Sequence, residues 1–268
     1  MKLLQKALLV ILTSLLLFSC SEYEQVLKGD NYDKKYEMAV ELYQKKKFVK
    51  AVPLFEEVIS IFSKLSEKGE KSYYYLCYCH YNMQQYQLAG YYFKNFNITY
   101  PLSNHAEEAA FMSANCKVQA SPKSSLDQTY TMGAINELQS FMNRYPATTR
   151  KDTCNLIIDN LRDKLEIKAF ESAKLYYHME SYEAATVTFA NMLSDYPDTD
   201  YREEALYLMV MSNYNLALNS VDQKKVERFE ETIKSYTKFV DNFPKSYKIK
   251  ELEMIYLKAQ QEIKLSKK

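Results

Sequence analysis

Residues 182–197 read YEAATVTFANMLSDYP. Within them Ala185 is followed by Phe189, Met192, Tyr196 and Pro197: a small residue, two apolar ones, then an aromatic–proline pair. The same frame recurs as Ala89-Phe93-Phe96-Tyr100-Pro101, Ala134-Leu138-Phe141-Tyr145-Pro146 and Thr232-Tyr236-Phe239-Phe243-Pro244, always with twelve positions from first residue to proline. A fifth copy, Ala51-Phe55-Val58-Phe62, has Ser63 in place of the proline. Spacings of three and four put the apolar side chains on one stripe of a helix. The small residue allows a neighbouring helix to come close, and the proline, which cannot continue a helix, ends it. An aromatic three positions earlier (Phe48, Tyr86, Tyr182, Phe229) opens the same helix. Five such helices in one chain each need a partner to cover the stripe.

The partners lie in the stretches between. Helical periodicity pairs 34–45 with 48–62, 71–84 with 86–99, and 105–118 with about 130–144, across a polar insertion (SPKSSLDQT) around Pro122. It also gives one long helix, or two end to end, over 152–179 running into 182–195. Residues 201–217 pair with about 224–242, and an amphipathic segment over 247–265 covers the end of the stack, since terminal repeats need a polar outer face. Composition agrees: four glycines and six prolines in 268 residues suit helices better than a turn-rich β protein.

Helix pairs with an A…F…P pattern at these offsets resemble the tetratricopeptide repeat. The expected fold is all-α, a superhelical solenoid of about five such repeats with a C-terminal capping helix. In that family the first helix of each pair lines the concave face. The frame then places there Tyr36, Val40, Tyr43 and Gln44 from the first unit, and Lys71, Tyr74, Tyr78, Tyr81 and Asn82 from the second. The third adds Phe111 and Asn115, the fourth Phe170, Lys174, Tyr177 and His178. The chain has 25 tyrosines and no tryptophan. Tyrosine offers large area, a hydroxyl and little entropy to lose, which suits peptide binding; the bland alternative is that these rings pack between helices.

The N-terminus carries a second signal. Lys2 and Lys6 precede an apolar run from Ala7 to Phe18, too short to span a bilayer and matching a secretory leader. It ends in Leu17-Phe18-Ser19-Cys20, which reads as a lipobox: residues 1–19 are removed and Cys20 is acylated. Several acyl chains on one cysteine make membrane attachment effectively permanent. Ser21 follows rather than Asp, so the outer membrane is the expected destination. About 249 residues remain (268 minus 19), and the loss of Lys2 and Lys6 takes the formal charge from +1 to −1, leaving no basic field for nucleic acid.

Catalytic signatures do not appear. His80, His105 and His178 have no second ligand at metal spacing on a helix face, and there is no GxSxG, P-loop or GxGxxG. Glu56-Glu57, Glu107-Glu108 and Glu203-Glu204 sit at helix beginnings or on exposed faces, where solvation and helix dipoles account for them. Cys77, Cys79, Cys116 and Cys154 fit neither a dense disulfide framework nor a CxxC site, and are expected to be buried free thiols. The sequence reads as neither an enzyme nor a cofactor protein.

An exported lipoprotein with about five repeats resembles the BamD-type outer membrane protein assembly lipoproteins. The likeness covers roughly residues 28–245. It is carried by Tyr196-Pro197-Asp198-Thr199 leading into Glu204-Ala205-Leu206, and by Asp163-Lys164-Leu165 running through Ala173-Lys174-Leu175-Tyr176-Tyr177 to Ser181-Tyr182. The resemblance implies a lipid-anchored protein on the periplasmic face of the outer membrane, partnered with a BamA-like barrel insertase and other assembly lipoproteins. Its N-terminal repeats (34–120) would receive the C-terminal strands of unfolded barrel proteins in the groove of Tyr36, Tyr43, Lys71, Tyr74, Tyr78, Tyr81, Asn82, Phe111 and Asn115. Its C-terminal repeats (130–246) would dock on the insertase through Lys174, Tyr177, Tyr201 and Arg202. Residues 20–33 are expected as a flexible tether, 121–129 as an insertion and 247–268 as cap and tail; the last two depart from the compact family pattern. Two other readings remain open. One is a SusD-type glycan-binding lipoprotein, although those chains are much longer and place tryptophan against sugars. The other is a generic periplasmic scaffold.

Overall fold

The computed structural model describes residues 22–62 and 66–266. Residues 1–19, Cys20 and Ser63 lie outside them. The described residues form α1 (Tyr32–Gln44), α2 (Phe48–Ile61), α3 (Glu67–Asn82), α4 (Tyr86–Thr99), α5 (Ala106–Ala120), α6 (Thr129–Arg144), α7 (Lys151–His178), α8 (Tyr182–Asp195), α9 (Arg202–Leu218), α10 (Asp222–Asn242) and α11 (Ile249–Ser266). There is no strand among the described residues. None of these helices is long and apolar enough to cross a membrane.

The recurring frame forms the core. Ala51, Ala89, Ala134, Ala185 and Thr232 are all fully buried, as are Phe55, Phe93, Leu138 and Phe189 one turn later. Tyr236 is the exception: it is half-buried and stacks on Tyr256 of α11, ring centroids 4.8 Å apart. Four of the second helices stop one residue before the aromatic–proline pair, with Tyr100, Tyr145, Tyr196 and Phe243 as C-caps. Phe48, Tyr86 and Tyr182 open α2, α4 and α8 as expected, whereas Phe229 lies inside α10, which begins seven residues earlier at Asp222.

Three of the hairpin turns are built alike. Lys46, Gln84 and Glu180 have positive φ (57°, 60° and 59°) just past α1, α3 and α7. Their N–H groups donate to the carbonyls of Tyr43, Tyr81 and Tyr177, and the next residue's N–H reaches back to Leu42, His80 and Tyr176. This is the Schellman closure, which satisfies carbonyls a helix end leaves open.

The described residues divide into two compact units, those within 22–122 with 128–158, and 123–127 with 159–266. The division passes through the polar insertion and leaves the expected pair 105–118 and 130–144 within one unit. α6 belongs with α5: Lys117 pairs with Glu137 at 2.6 Å, and Ser121 and Thr131 hydroxyls meet at 2.6 Å. Residues 123–127 go with the second unit, where Lys168 Nζ donates to the Ser125 carbonyl at 2.8 Å. In the first unit consecutive helices from α1 to α6 pack in series; in the second, α8 to α11 do so.

The expected tether also differs. Residues 22–28 are helical, Val26 is buried against the α1–α2 core, and the Tyr23 hydroxyl donates to the Lys50 carbonyl at 3.2 Å. Asn31 then caps α1, its side chain accepting from Lys34 N at 2.9 Å. Val26 gives this polar leader an apolar foothold. Lys35, in turn, is buried where the stripe leads one to expect an apolar side chain, and pairs with Glu57 of α2.

Candidate protein-binding face

The joints between successive repeats share one construction. After each of four second helices comes aromatic-Pro-x-Ser/Thr: Tyr100 to Ser103, Tyr145 to Thr148, Tyr196 to Thr199, and Phe243 to Ser246. The N–H of each hydroxyl residue donates to the aromatic's carbonyl, closing a turn with proline at its favoured second position. The hydroxyl oxygen accepts from the N–H two residues on. It also donates to a glutamate of the preceding first helix, in the first turn for three joints and midway along α7 for the other: Ser103 to Glu70 (2.6 Å), Thr148 to Glu107 (2.6 Å), Ser246 to Glu203 (2.5 Å), and Thr199 to Glu166.

The residue two past each hydroxyl then covers an aromatic one turn beyond that glutamate. His105 stacks on Tyr74 at 4.2 Å, Arg150 lies over Phe111 at 4.6 Å, Tyr201 stacks on Phe170 at 4.5 Å, and Lys248 sits over Tyr207 at 4.7 Å. Three residues expected to face a ligand, Tyr74, Phe111 and Tyr201, are therefore engaged in these joints. Phe111 is buried, with Phe141 against it edge-on. Aromatic–proline pairs and first helices were separately legible in the sequence. The Ser/Thr that links them stands three after the aromatic in all four copies, a local signal that by itself marks only a turn.

The remaining predicted residues of the first unit gather along α1, α3 and α5. The Tyr78 hydroxyl donates to Glu108 at 2.7 Å while its ring meets Phe93 edge-on at 5.1 Å. Asn115 donates to the Tyr81 hydroxyl at 3.0 Å, and Asn82 to the Tyr78 carbonyl at 2.7 Å. Tyr43 lies 4.7 Å from Tyr75. Tyr36 has the Lys68 ammonium 5.7 Å from its ring centre, and Lys71 pairs with Glu67 at 2.6 Å. Burial raises the hydroxyl pKa values of Tyr43 and Tyr74 to about 12. Tyr78 is pushed up as well, first by burial and then by its bonds to Tyr74 and Glu108. These are neutral donors at any physiological pH. Tyr36, Tyr43, Tyr74, Tyr78 and Tyr81 are all partly exposed, so the face offers ring area and hydroxyls to a ligand while their inner edges are packed.

In the second unit Lys174 pairs with Glu204 at 3.2 Å and sits over Phe170, Tyr177 meets Tyr182 edge-on, and Arg202 Nη1 donates to the Pro197 carbonyl at 3.1 Å. The Tyr207 hydroxyl donates to Glu251 at 3.0 Å. The α11 cap, expected to be polar outside, exposes Met254, Leu257 and Leu265.

Two of the three histidines are held by neighbouring side chains, while His178 is exposed. His80 Nδ1 lies 2.7 Å from Gln85 Oε1 with its ring stacked on Tyr92, and His105 covers Tyr74. Cys77, Cys79, Cys116 and Cys154 are buried free thiols. Burial raises Cys79 and Cys116 to about 12, the opposite of what activates a thiol.

In solved structures the chain is similar to a TPR repeats protein from Bacteroides fragilis NCTC 9343, 14% identical over 89% of this chain and 99% of that one, TM-score 0.40. It also matches the yeast histone chaperone Hif1, 12% identical over 89% and 95%, TM-score 0.28. Among curated proteins it is 25% identical over 228 residues to the "Putative outer membrane protein assembly factor BamD" of Aquifex aeolicus (strain VF5), covering 84% of this chain and 74% of that one. The family described as "YfiO: Outer membrane lipoprotein" matches residues 29–229, three-quarters of the chain, and the protein belongs to that family.

Proposed function

We propose that this protein is an acyl-anchored, non-enzymatic subunit of the outer membrane β-barrel assembly machinery. Family membership and the likeness to a curated assembly factor support a role in outer membrane protein assembly. The finer reading rests on one observation: a continuous run of part-exposed tyrosines on α1 and α3, flanked by Asn82 and Asn115. This face would receive the C-terminal strand of an unfolded barrel protein, with Tyr36, Tyr43, Tyr78 and Tyr81 gripping side chains and Lys71 near the terminal carboxylate. Tyr74 and Phe111 support it from the joints beneath, and Asn115 holds the Tyr81 hydroxyl. The second unit would dock on a BamA-like insertase through Lys174, Tyr177, Tyr201 and Arg202, with the apolar edge of α11 extending the surface. Cys20 would carry the lipid that holds the protein at the periplasmic face, beside other assembly lipoproteins. The non-enzymatic reading rests on the likeness to an assembly factor.

A photo-crosslinking residue at exposed Asn82 tests the reading in living cells. Crosslinks to the terminal strands of barrel proteins are expected, and none from Lys94 on α4. Equal yields from both positions, or no barrel protein at Asn82, would sink it.

A further inference from the structure

We infer that the α1–α2 turn is a second point of membrane contact, a surface for anionic lipid headgroups; the inference rests on the proposed acylation of Cys20. The geometry begins with reach. Helix 22–28 begins two residues after Cys20 in the sequence. Two residues span at most about 7 Å, so an acyl chain on Cys20 leaves helix 22–28 no room to leave the headgroup layer. What that helix touches must lie there too.

It touches the start of α2. The Tyr23 hydroxyl donates to the Lys50 carbonyl, and the Lys50 ammonium lies 5.1 Å from the Tyr23 ring centre. Lys50 in turn shares one shallow depression with Lys46, Lys47, Phe48, Val49 and Met83. Lys46, Lys47 and Lys50 are exposed, and among the described residues none has a carboxylate within ion-pair distance. Acids on the same elements are engaged with other lysines: Glu24 pairs with Lys28, Glu41 with Lys45 and Glu57 with Lys35, Lys47 acting on Glu41 only from beyond ion-pair distance. Val49, 76% exposed, stands between the lysines. Three unpaired ammonium groups around an exposed apolar side chain match a surface of phosphates over hydrocarbon, where each basic residue within a Debye length adds attraction. A soluble protein partner would have to compete for a face that the tether already presses to the bilayer.

The test is lysine footprinting on the full-length protein, reconstituted in vesicles of phosphatidylethanolamine with phosphatidylglycerol and, separately, in neutral detergent. After a short pulse of acetylating reagent, mass spectrometry reads each lysine, and the intact mass reports acylation of Cys20. Lys46, Lys47 and Lys50 are expected to react about fivefold more slowly in the vesicles, with Lys94 and Lys250 unchanged. If Cys20 is acylated and the three lysines react alike in both settings, the surface is overturned while the anchor stands. Equal protection in phosphatidylcholine vesicles overturns the anionic-lipid assignment. If the mass shows no acyl group, the anchor reading fails by itself. The surface is then decided by co-sedimentation of the Cys20→Ser protein with anionic vesicles. Binding that is lost in Lys47→Glu/Lys50→Glu upholds the surface, and no binding overturns it.

Discussion

α3 of the first unit and the part of α7 from residue 159 on, in the second, occupy the same place in the repeat yet solve the same joint with different chemistry. Counting from the latched glutamates, Glu70 and Glu166, the residue one turn on is Tyr74 in one and Phe170 in the other, each capped by a flat ring from the next turn. Two turns on stand Tyr78 and Lys174, and each reaches the second glutamate of the next first helix, Glu108 or Glu204. The first unit closes its joint with a neutral hydroxyl, the second with an ammonium. A tyrosine there keeps the face aromatic and uncharged; a lysine makes it ionic and exposed. The difference teaches that the repeat frame fixes where neighbours meet, while the side chain chosen at the meeting point sets what the surface can bind.

The largest effect tests the shared frame. Phe93 and Phe189 are both fully buried at equivalent positions, so Phe93→Ala and Phe189→Ala should each cost about 3–5 kcal/mol. Urea denaturation followed by circular dichroism measures both. A loss below about 1 kcal/mol at either site would mean the frame does not carry that unit's core.

The joints come next. Tyr78→Phe removes a hydroxyl donating to a carboxylate and should cost about 1.5–3 kcal/mol. Lys174→Met breaks an ion pair with side chains 32% and 43% exposed, and should cost no more than about 1 kcal/mol, less in high salt. The contrast is in the salt response: the Tyr78 effect should persist where the Lys174 effect disappears. If both fade with salt, the two units use the same kind of joint after all.

Much of this was legible in the sequence, for a physical reason. A stripe at helical spacing must be buried, and a proline must end a helix, so the core and the ends of α4, α6, α8 and α10 follow from local chemistry. The joints were not legible because Ser103 and Glu70 are 33 residues apart, and Thr148 and Glu107 are 41 apart. A serine three after an aromatic reads as an ordinary turn residue until its partner is in view. Ring placement fell between these cases. Tyr78 and Tyr81 stand on α3, a first helix as expected, but whether a ring is free or stacked depends on His105, Arg150, Tyr201 or Lys248 arriving from the next repeat. The leader misled for the converse reason: a polar segment needs only Val26 and Tyr23 to be pinned.

Alkali separates the units by their tyrosines. In the folded first unit Tyr43 and Tyr74 hold their protons to about pH 12, against roughly 10 when unfolded. Raised values of this kind leave stability intact below about pH 10 and remove it as pH climbs through the folded value. The melting temperature should therefore fall steeply between these limits. Tyr43→Phe/Tyr74→Phe should flatten the fall more than Tyr207→Phe, which removes one such group from the second unit. An unchanged slope in the double variant would mean that other groups drive alkaline unfolding.

The smallest effect tests what the units have in common. Gln84 and Glu180 end α3 and α7 in the left-handed conformation, at φ 60° and 59°, which costs a residue with a Cβ about 1 kcal/mol or more. Glycine removes that cost but loses more freedom on folding, so Gln84→Gly and Glu180→Gly should each stabilise by up to about 1 kcal/mol. Both side chains are exposed, and both backbones make the same pair of closing bonds, to Tyr81 and His80 in one turn and to Tyr177 and Tyr176 in the other. Equal gains in thermal melts would show that the turn is an interchangeable part, indifferent to the chemistry of the face beside it. A gain at one site only would show that the turn answers to that face, and the aromatic and ionic joints would then differ in backbone as well as in side chain.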